Sequence, residues 1–208
     1  MEHVQPGKVI LIIGTSSVGK SSTILELQNI LSEHYLALGI DTFLHMVSPR
    51  WGGGLGGPRS MDGFRYVKTT VHRTSSIRIL YGDVGRRVLH GMHRAVAALA
   101  ACGNNVLVDE MLLDHSVLDD WVDALHGLPV CIVRLRASLA VLEQREQQRG
   151  NEGGLARGHL HDNLIDVYDL DLDTTHHEPK VIAHTIGQYL ESKATWTAMQ
   201  QLARHRTA

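Results

Sequence analysis

Gly14, Gly19, Lys20 and Ser21 occur in the order Gly-x-x-x-x-Gly-Lys-Ser, directly after a short apolar run, Val9 to Ile13. That is the strand, glycine-rich loop and helix start of a phosphate-binding P-loop. The two glycines let the backbone turn tightly and aim its N–H groups inward. Together with the N-terminus of the following helix, those donors form a site for phosphate. Gly14, Thr15, Ser16, Ser17, Val18, Gly19, Lys20, Ser21 and Ser22 are therefore the expected nucleotide-binding residues. Lys20 can reach the outer phosphates as a point charge, and Ser21 can offer its hydroxyl to Mg2+.

In an open parallel sheet, ligands bind beyond the C-terminal ends of the strands, so the carboxylates there come next. A short second strand, near Tyr35–Gly39, ends at Asp41. A carboxylate at that point faces the γ-phosphate and can take or orient the proton of an acceptor hydroxyl. It can equally be a turn aspartate ahead of Thr42. Asp109 ends the apolar run Asn105-Val106-Leu107-Val108, the pattern in which an acid holds Mg2+ directly or through water. Glu110 follows it and can either activate a water, as in an ATPase, or help bind an acceptor.

Arginines gather further on. Arg134 and Arg136 end the strand Val130–Leu135, and Arg145 and Arg149 lie i, i+4 on the next helix. Like charges so spaced repel by a few tenths of a kcal/mol, about 0.2–0.5, which a shared anion offsets. Arg149 enters the glycine-rich stretch Gly150–Gly158 and Arg157 leaves it. The pattern reads as a mobile lid, about residues 145–158, that closes arginines over a transferring phosphoryl group. Glu143 and Glu146 offer the alternative, a solvated salt-bridged face. Asp173, Thr174 and Thr175 follow the last strand, where nucleotide kinases place the adenine against backbone; they also suit a helix cap.

The elements that position these residues alternate between short apolar runs and helical patterns, which predicts an α/β fold with a parallel sheet. Strands are expected at Val9–Ile13, Tyr35–Gly39, Asn105–Asp109, Val130–Leu135 and Leu170–Leu172. A long helix spans about Gly85–Ala101, with Val84, Val88, Met92, Val96 and Leu99 inward. Leu118, Trp121, Val122 and Leu125 mark another. Ser138 caps a helix to Gln148, a short helix follows at His159–Val167, and Pro179 opens the last long one. Pro49–Thr70, with its WGGGLGGP run, shows no clean alternation. It reads as an insertion at about residues 49–70 that covers an acceptor pocket or forms a loose surface excursion.

The 208 residues, 43% hydrophobic, suit a single domain over residues 1–208. A net charge of −2 argues against a nucleic-acid partner. No apolar run reaches membrane-spanning length, and MEHVQPGK lacks the features of a signal peptide, so the cytoplasm is the expected compartment. Cys102 and Cys131 make no disulfide framework, and Cys131 reads as a buried thiol. The 14 histidines, among them His90, His93, His159, His161, His176 and His177, fit no metal-ligand spacing; surface and loop positions are expected. A homo-oligomer is left open.

Taken together, GTSSVGKSS, LALGIDTF, GMHRAVAALAACGNNVLVDEMLL, VCIVRLRASLAVLEQREQQRG and VYDLDLDTTHHEP resemble the chloramphenicol phosphotransferase-like family of small-molecule P-loop kinases, in that family's order. The resemblance implies a nucleoside-kinase-like three-layer sandwich with a five-stranded parallel sheet, and ATP-dependent phosphorylation of a hydroxyl on a small antibiotic or metabolite. It implies Asp41 as catalytic base, Lys20 and Ser21 as the P-loop pair, Asp109 at the metal, and Arg136, Arg145 and Arg149 as lid arginines. ATP and Mg2+ are the expected cofactors. Where relatives often carry Arg-Gly-Asp-Arg, this chain has Arg149-Gly150-Asn151-Glu152, which lowers the lid charge unless Arg157 supplies it. The rival expectation is a P-loop NTPase or nucleotide-binding regulator using Glu110 and no acceptor.

Overall fold

The structure, a computed structural model, describes residues 4–52, 56–71, 74–150, 153–160, 164–192 and 195–206. Its centre is the strand β1 (Val9–Ile13), flanked by β5 (Asn105–Glu110) and β6 (Val130–Arg136), with β2 (Tyr35–Gly39) and β7 (Leu170–Asp173) at the edges. All four pairings are parallel: Val9 sits opposite Val106 on one side and Val130 on the other, Gly39 opposite Asp109, and Val133 opposite Leu170. The five expected strands form this five-stranded parallel sheet.

Every residue of β1 is buried, because helices cover both faces of the sheet. Val9, Leu11 and Ile13 pack on one side with α3 (Asp83–Ala101), α4 (His115–Ala124) and α8 (Ala198–His205). Ile10 and Ile12 pack on the other with α1 (Lys20–Ile30) and α7 (Pro179–Ser192). The period of two along the strand thus divides the core into two layers. Leu118, Trp121, Val122 and Leu125 are all buried, as their spacing predicts. The stripe of α3 is rotated from the expected one: Leu89, Met92, Val96 and Ala100 are buried, while Val88 and Leu99 are only partly so.

Four expectations need correction. Asp41 does not end a strand: β2 stops at Gly39, and α2 (Ile40–Met46) begins at once. The region after it is not a plain insertion loop. After a 3-10 turn at Pro49–Trp51 comes an antiparallel hairpin, β3 (Phe64–Val71) and β4 (Thr74–Tyr81), in which Phe64 faces Tyr81. The β-branched and aromatic residues after Gly63 are its sequence signal. The helix expected at His159–Val167 is instead α6 (Leu155–His159), with residues 161–163 outside those described. It follows α5 (Leu139–Gln148) and lies within the stretch read as a mobile glycine loop; Ala156 and His159 are buried there. Finally, the histidines are not all peripheral. His93 is wholly buried against Trp121, with ring centroids 4.0 Å apart, and its Nδ1 bonds Asp120.

Candidate active site

The loop between β1 and α1 is held in an unusual backbone form. Gly19 has φ +103°, and Ser17 takes φ +62° although it is not glycine, a conformation that persists only where the surroundings impose it. Ser17 is buried, and its hydroxyl has no partner. A buried, unpartnered hydroxyl inside a ring of loop donors fits a phosphate oxygen. Lys20 is also buried; its Nζ donates to Gly14 O at 2.9 Å and Thr15 O at 3.1 Å. In this way the ammonium is folded back over the loop.

Strand register brings the acids to this ammonium. Ile12 of β1 faces Asp109 of β5, and Gly39 of β2 faces Asp109 from the other side. A Cβ at Gly39 would lie 2.3 Å from Asp109 O and 2.7 Å from Asp109 Cβ, so glycine is what lets β2 close up here. Ser21 Oγ donates to Asp109 Oδ2 at 2.6 Å, and Lys20 Nζ is 3.5 Å from Asp109 Oδ1. Asp41, exposed in the first turn of α2, lines one cavity of about 300 Å3 with Ser21 and Asp109. Tyr66 of the hairpin lies within electrostatic reach of this carboxylate: burial and then the charge of Asp41 raise its phenol above its ordinary pKa.

A magnesium ion fits these groups. Mg2+ in phosphoryl-transfer sites takes one or two protein oxygens and fills its octahedron with phosphate and water. Ser21 and Asp109 supply such a pair. No cluster of three or more His, Cys, Asp or Glu able to hold a metal occurs among the described residues.

A second cavity, about 250 Å3, lies beyond the N-terminus of α1, lined by Val18, Gly19, Arg145, Arg149, Thr174 and His177. Thr174 is buried and donates to Val18 O at 2.8 Å. Arg145 donates to Thr174 Oγ1 at 3.1 Å, to Thr174 O at 2.7 Å and to Val18 O at 3.3 Å. Burial, then the neighbouring Arg149 charge, lowers its pKa. Arg145 therefore ties the loop after β7 to the phosphate loop, while Arg149 is exposed beside it.

The other arginines carry internal ion pairs. Arg136 Nη1 donates to Asp173 at 2.6 Å. Thr175, first through its hydroxyl and then its N–H, and then Arg136 hold the Asp173 carboxyl below its ordinary range. Arg134 pairs with Asp171 and lies over the Tyr168 ring, 4.2 Å from its centroid. Arg157 pairs with Glu143. Asn151 and Glu152 of the altered lid motif lie outside the described residues.

Glu110 is turned away from the site. Wholly buried, it accepts from Trp121 Nε1 at 2.9 Å and from Met111 N at 2.8 Å, and burial pushes its pKa up to about 7. Successive strand residues face opposite sides of a sheet, so β5 presents Asp109 to the phosphate loop and Glu110 to the core. Burial also pushes the Cys131 thiol up.

Residues 7–191 match the family described as chloramphenicol phosphotransferase-like protein. The chain belongs to that family. A provisionally named O-phosphotransferase of Mycobacterium tuberculosis (strain H37Rv) is 28% identical over 190 residues, covering 84% of this chain and 78% of the relative. Among solved structures, a tunicamycin resistance protein from Deinococcus radiodurans superimposes with TM-score 0.61 at 16% identity, over 88% of this chain and 95% of that one. A gluconokinase from Sinorhizobium meliloti gives 0.58 at 17%, over 96% and 98%. A sugar kinase from Janibacter gives 0.60 at 15%, over 89% and 95%. At such identities the likeness shows the fold, that of P-loop kinases. This member of the phosphotransferase family has the kinase sheet and, among its described residues, no helix long and apolar enough to cross a membrane.

Sequence reasoning reached the loop, Asp41, Asp109, Arg145 and Thr174. It placed Glu146 on a solvated face and His159 among surface and loop histidines, whereas Glu146 of α5 and His159 of α6 are both buried. A helix-face glutamate and one histidine among fourteen carry no signal of burial.

Proposed function

We propose that this chain transfers the γ-phosphoryl group of ATP to a hydroxyl of a small molecule, with Mg2+ held at Ser21 and Asp109. The observation that carries the reading is the meeting of Lys20, Ser21, Asp109 and Asp41 around the mouth of the phosphate loop. The loop N–H groups and Lys20 bind the phosphates. When bound, Mg2+ neutralises phosphate charge and orients the phosphates for in-line attack. Asp41, exposed to the same cavity, orients the acceptor hydroxyl and takes its proton as the new O–P bond forms and the bond from Pγ to the β,γ-bridging oxygen breaks, releasing ADP. Thr174, held by Arg145, forms the floor of the nucleoside end.

The acceptor body fits beside the phosphate loop. A third cavity, about 260 Å3, runs from Gly14 and Thr15 to Met111, Leu112, Ile165 and Tyr168. The guanidinium groups on its wall, Arg134 and Arg136, are already paired with Asp171 and Asp173, which supports an uncharged body for the acceptor, such as an antibiotic or neutral metabolite. The NTPase alternative loses its carboxylate, since both oxygens of Glu110 are engaged inside the core.

The test is MgATP consumption by purified protein against a panel of hydroxylated antibiotics and metabolites, with mass spectrometry for a product heavier by one phosphoryl group. Acceptor-dependent product formation supports the reading. Hydrolysis indifferent to every acceptor overturns it.

A further inference from the structure

β4 has one edge paired with β3; on its other edge two N–H groups are satisfied by α6 and the glycine that precedes it. Ile77 N donates to Gly154 O at 2.8 Å, and Ile79 N donates to His159 Nε2 at 3.0 Å. Residues two apart share an edge, and an uncovered edge would be open to foreign strands. Between them Arg78 Nη1 donates to Gly158 O at 2.8 Å. The packing is close enough to demand glycine: a Cβ at Gly158 would lie 1.9 Å from Ile77 O.

The opposite side of α6 is fixed to the nucleotide end. Glu146, 1% exposed, accepts from Gly154 N at 2.9 Å and from Ala156 N at 2.7 Å. Thr15 Oγ1, in the phosphate loop, donates to Ala156 O at 3.1 Å. A five-residue helix thus joins three parts of the molecule: α5, which carries Arg145; the phosphate loop; and the hairpin beside Asp41.

We propose that His159 is a positioning residue that fastens the acceptor-side hairpin to the nucleotide-side lid, so that the two move as one cover. The purpose of the cover rests on the kinase reading; its mechanical coupling does not. Because Nε2 accepts the Ile79 N–H, the ring is neutral with its proton on Nδ1. Phenylalanine would leave a buried N–H without an acceptor. Glutamine keeps a carbonyl oxygen at similar reach.

Amide hydrogen exchange on the full chain, followed residue by residue by NMR, tests the coupling from both sides of α6. Glu146→Gln removes an acceptor on the side remote from β4. A single cover predicts that Ala156, Ile77 and Ile79 amides all exchange faster by a common factor, about tenfold. Faster exchange at Ala156 with Ile77 and Ile79 unchanged overturns the proposal. From the other side, His159→Phe should speed exchange at both Ile79 and Ala156, and His159→Gln should restore both toward wild type. An effect of His159→Phe confined to Ile79, or no difference between the two variants, also overturns it. On the same samples, nucleotide titration and acceptor kinetics report separately on the kinase reading. His159→Phe should raise the acceptor KM and weaken nucleotide binding together, whereas absent nucleotide binding by the wild type would sink the kinase reading and leave the exchange result standing.

Discussion

The hydroxyl of Ser21 donates to the carboxylate of Asp109 at 2.6 Å, joining the first turn of α1 to the end of β5 across the sheet. The contact holds side by side the two oxygens that would hold the ion. Charge-assisted bonds of this kind contribute roughly 1.5–3 kcal/mol. Ser21→Ala and Asp109→Asn should each raise the Mg2+ concentration needed for half-maximal nucleotide binding by about tenfold or more. The double variant should be little worse than Asp109→Asn alone, because one site is being removed twice. Additive losses, read from Mg2+ titrations, would show that the two act separately.

Arg145 is a strut between the phosphate loop and the loop after β7. It bonds Thr174 twice and Val18 once. Arg145→Ala should weaken MgATP binding by about tenfold or more and leave the acceptor KM nearly unchanged. Calorimetric titration with a non-hydrolysable ATP analogue checks this. Arg145→Lys should recover little, since a point charge cannot reproduce a planar fork.

Two buried groups give stability opposite pH slopes. Glu110 has its pKa pushed from 4.5 up to about 7. The folded state therefore holds a proton that the unfolded state releases, and this contribution is full below pH 4.5 and lost as pH rises through 7. His93 is pushed the other way, from 6.5 down to about 4, by burial that outweighs Asp120. Its contribution is full above pH 6.5 and lost as pH falls through 4. Between pH 4.5 and 6.5 the two slopes oppose each other. Denaturant unfolding should therefore vary little across that window in the wild type. Glu110→Gln should leave stability rising with pH, and His93→Phe should leave it falling. Parallel curves for all three proteins would contradict the assignment. Asp114, Asp120 and Asp171, held below their ordinary values, act at lower pH.

The parts that could be read from the chain were those whose physics is local. β1 and β5 are buried on both faces, so their apolar runs are continuous. The phosphate loop needs glycine, lysine and serine at fixed spacing whatever surrounds it. The hairpin was hidden because its strands interleave Arg65, Lys68 and Arg78 with apolar residues, and because β4 is completed by bonds from Ile77 N to Gly154 O and from Ile79 N to the His159 ring, far along the chain. Glycines in the lid read as mobility, whereas Gly158 is there because Ile77 O comes too close for a side chain. α8 went unseen since only Ala198 and Met199 of its residues are buried. His93 depends on an aspartate 27 residues further on, and no spacing in the sequence announces that pair.

The central claim is that Asp41 serves an acceptor hydroxyl. The most direct measurement is single-turnover product formation from MgATP and the best acceptor of the panel, comparing wild type with Asp41→Asn, alongside nucleotide binding by both. The account predicts loss of transfer by about 100-fold or more, the usual worth of a general base, with nucleotide affinity unchanged. Transfer or ATP hydrolysis that survives Asp41→Asn at near wild-type rate would contradict it and remove Asp41 from the reaction.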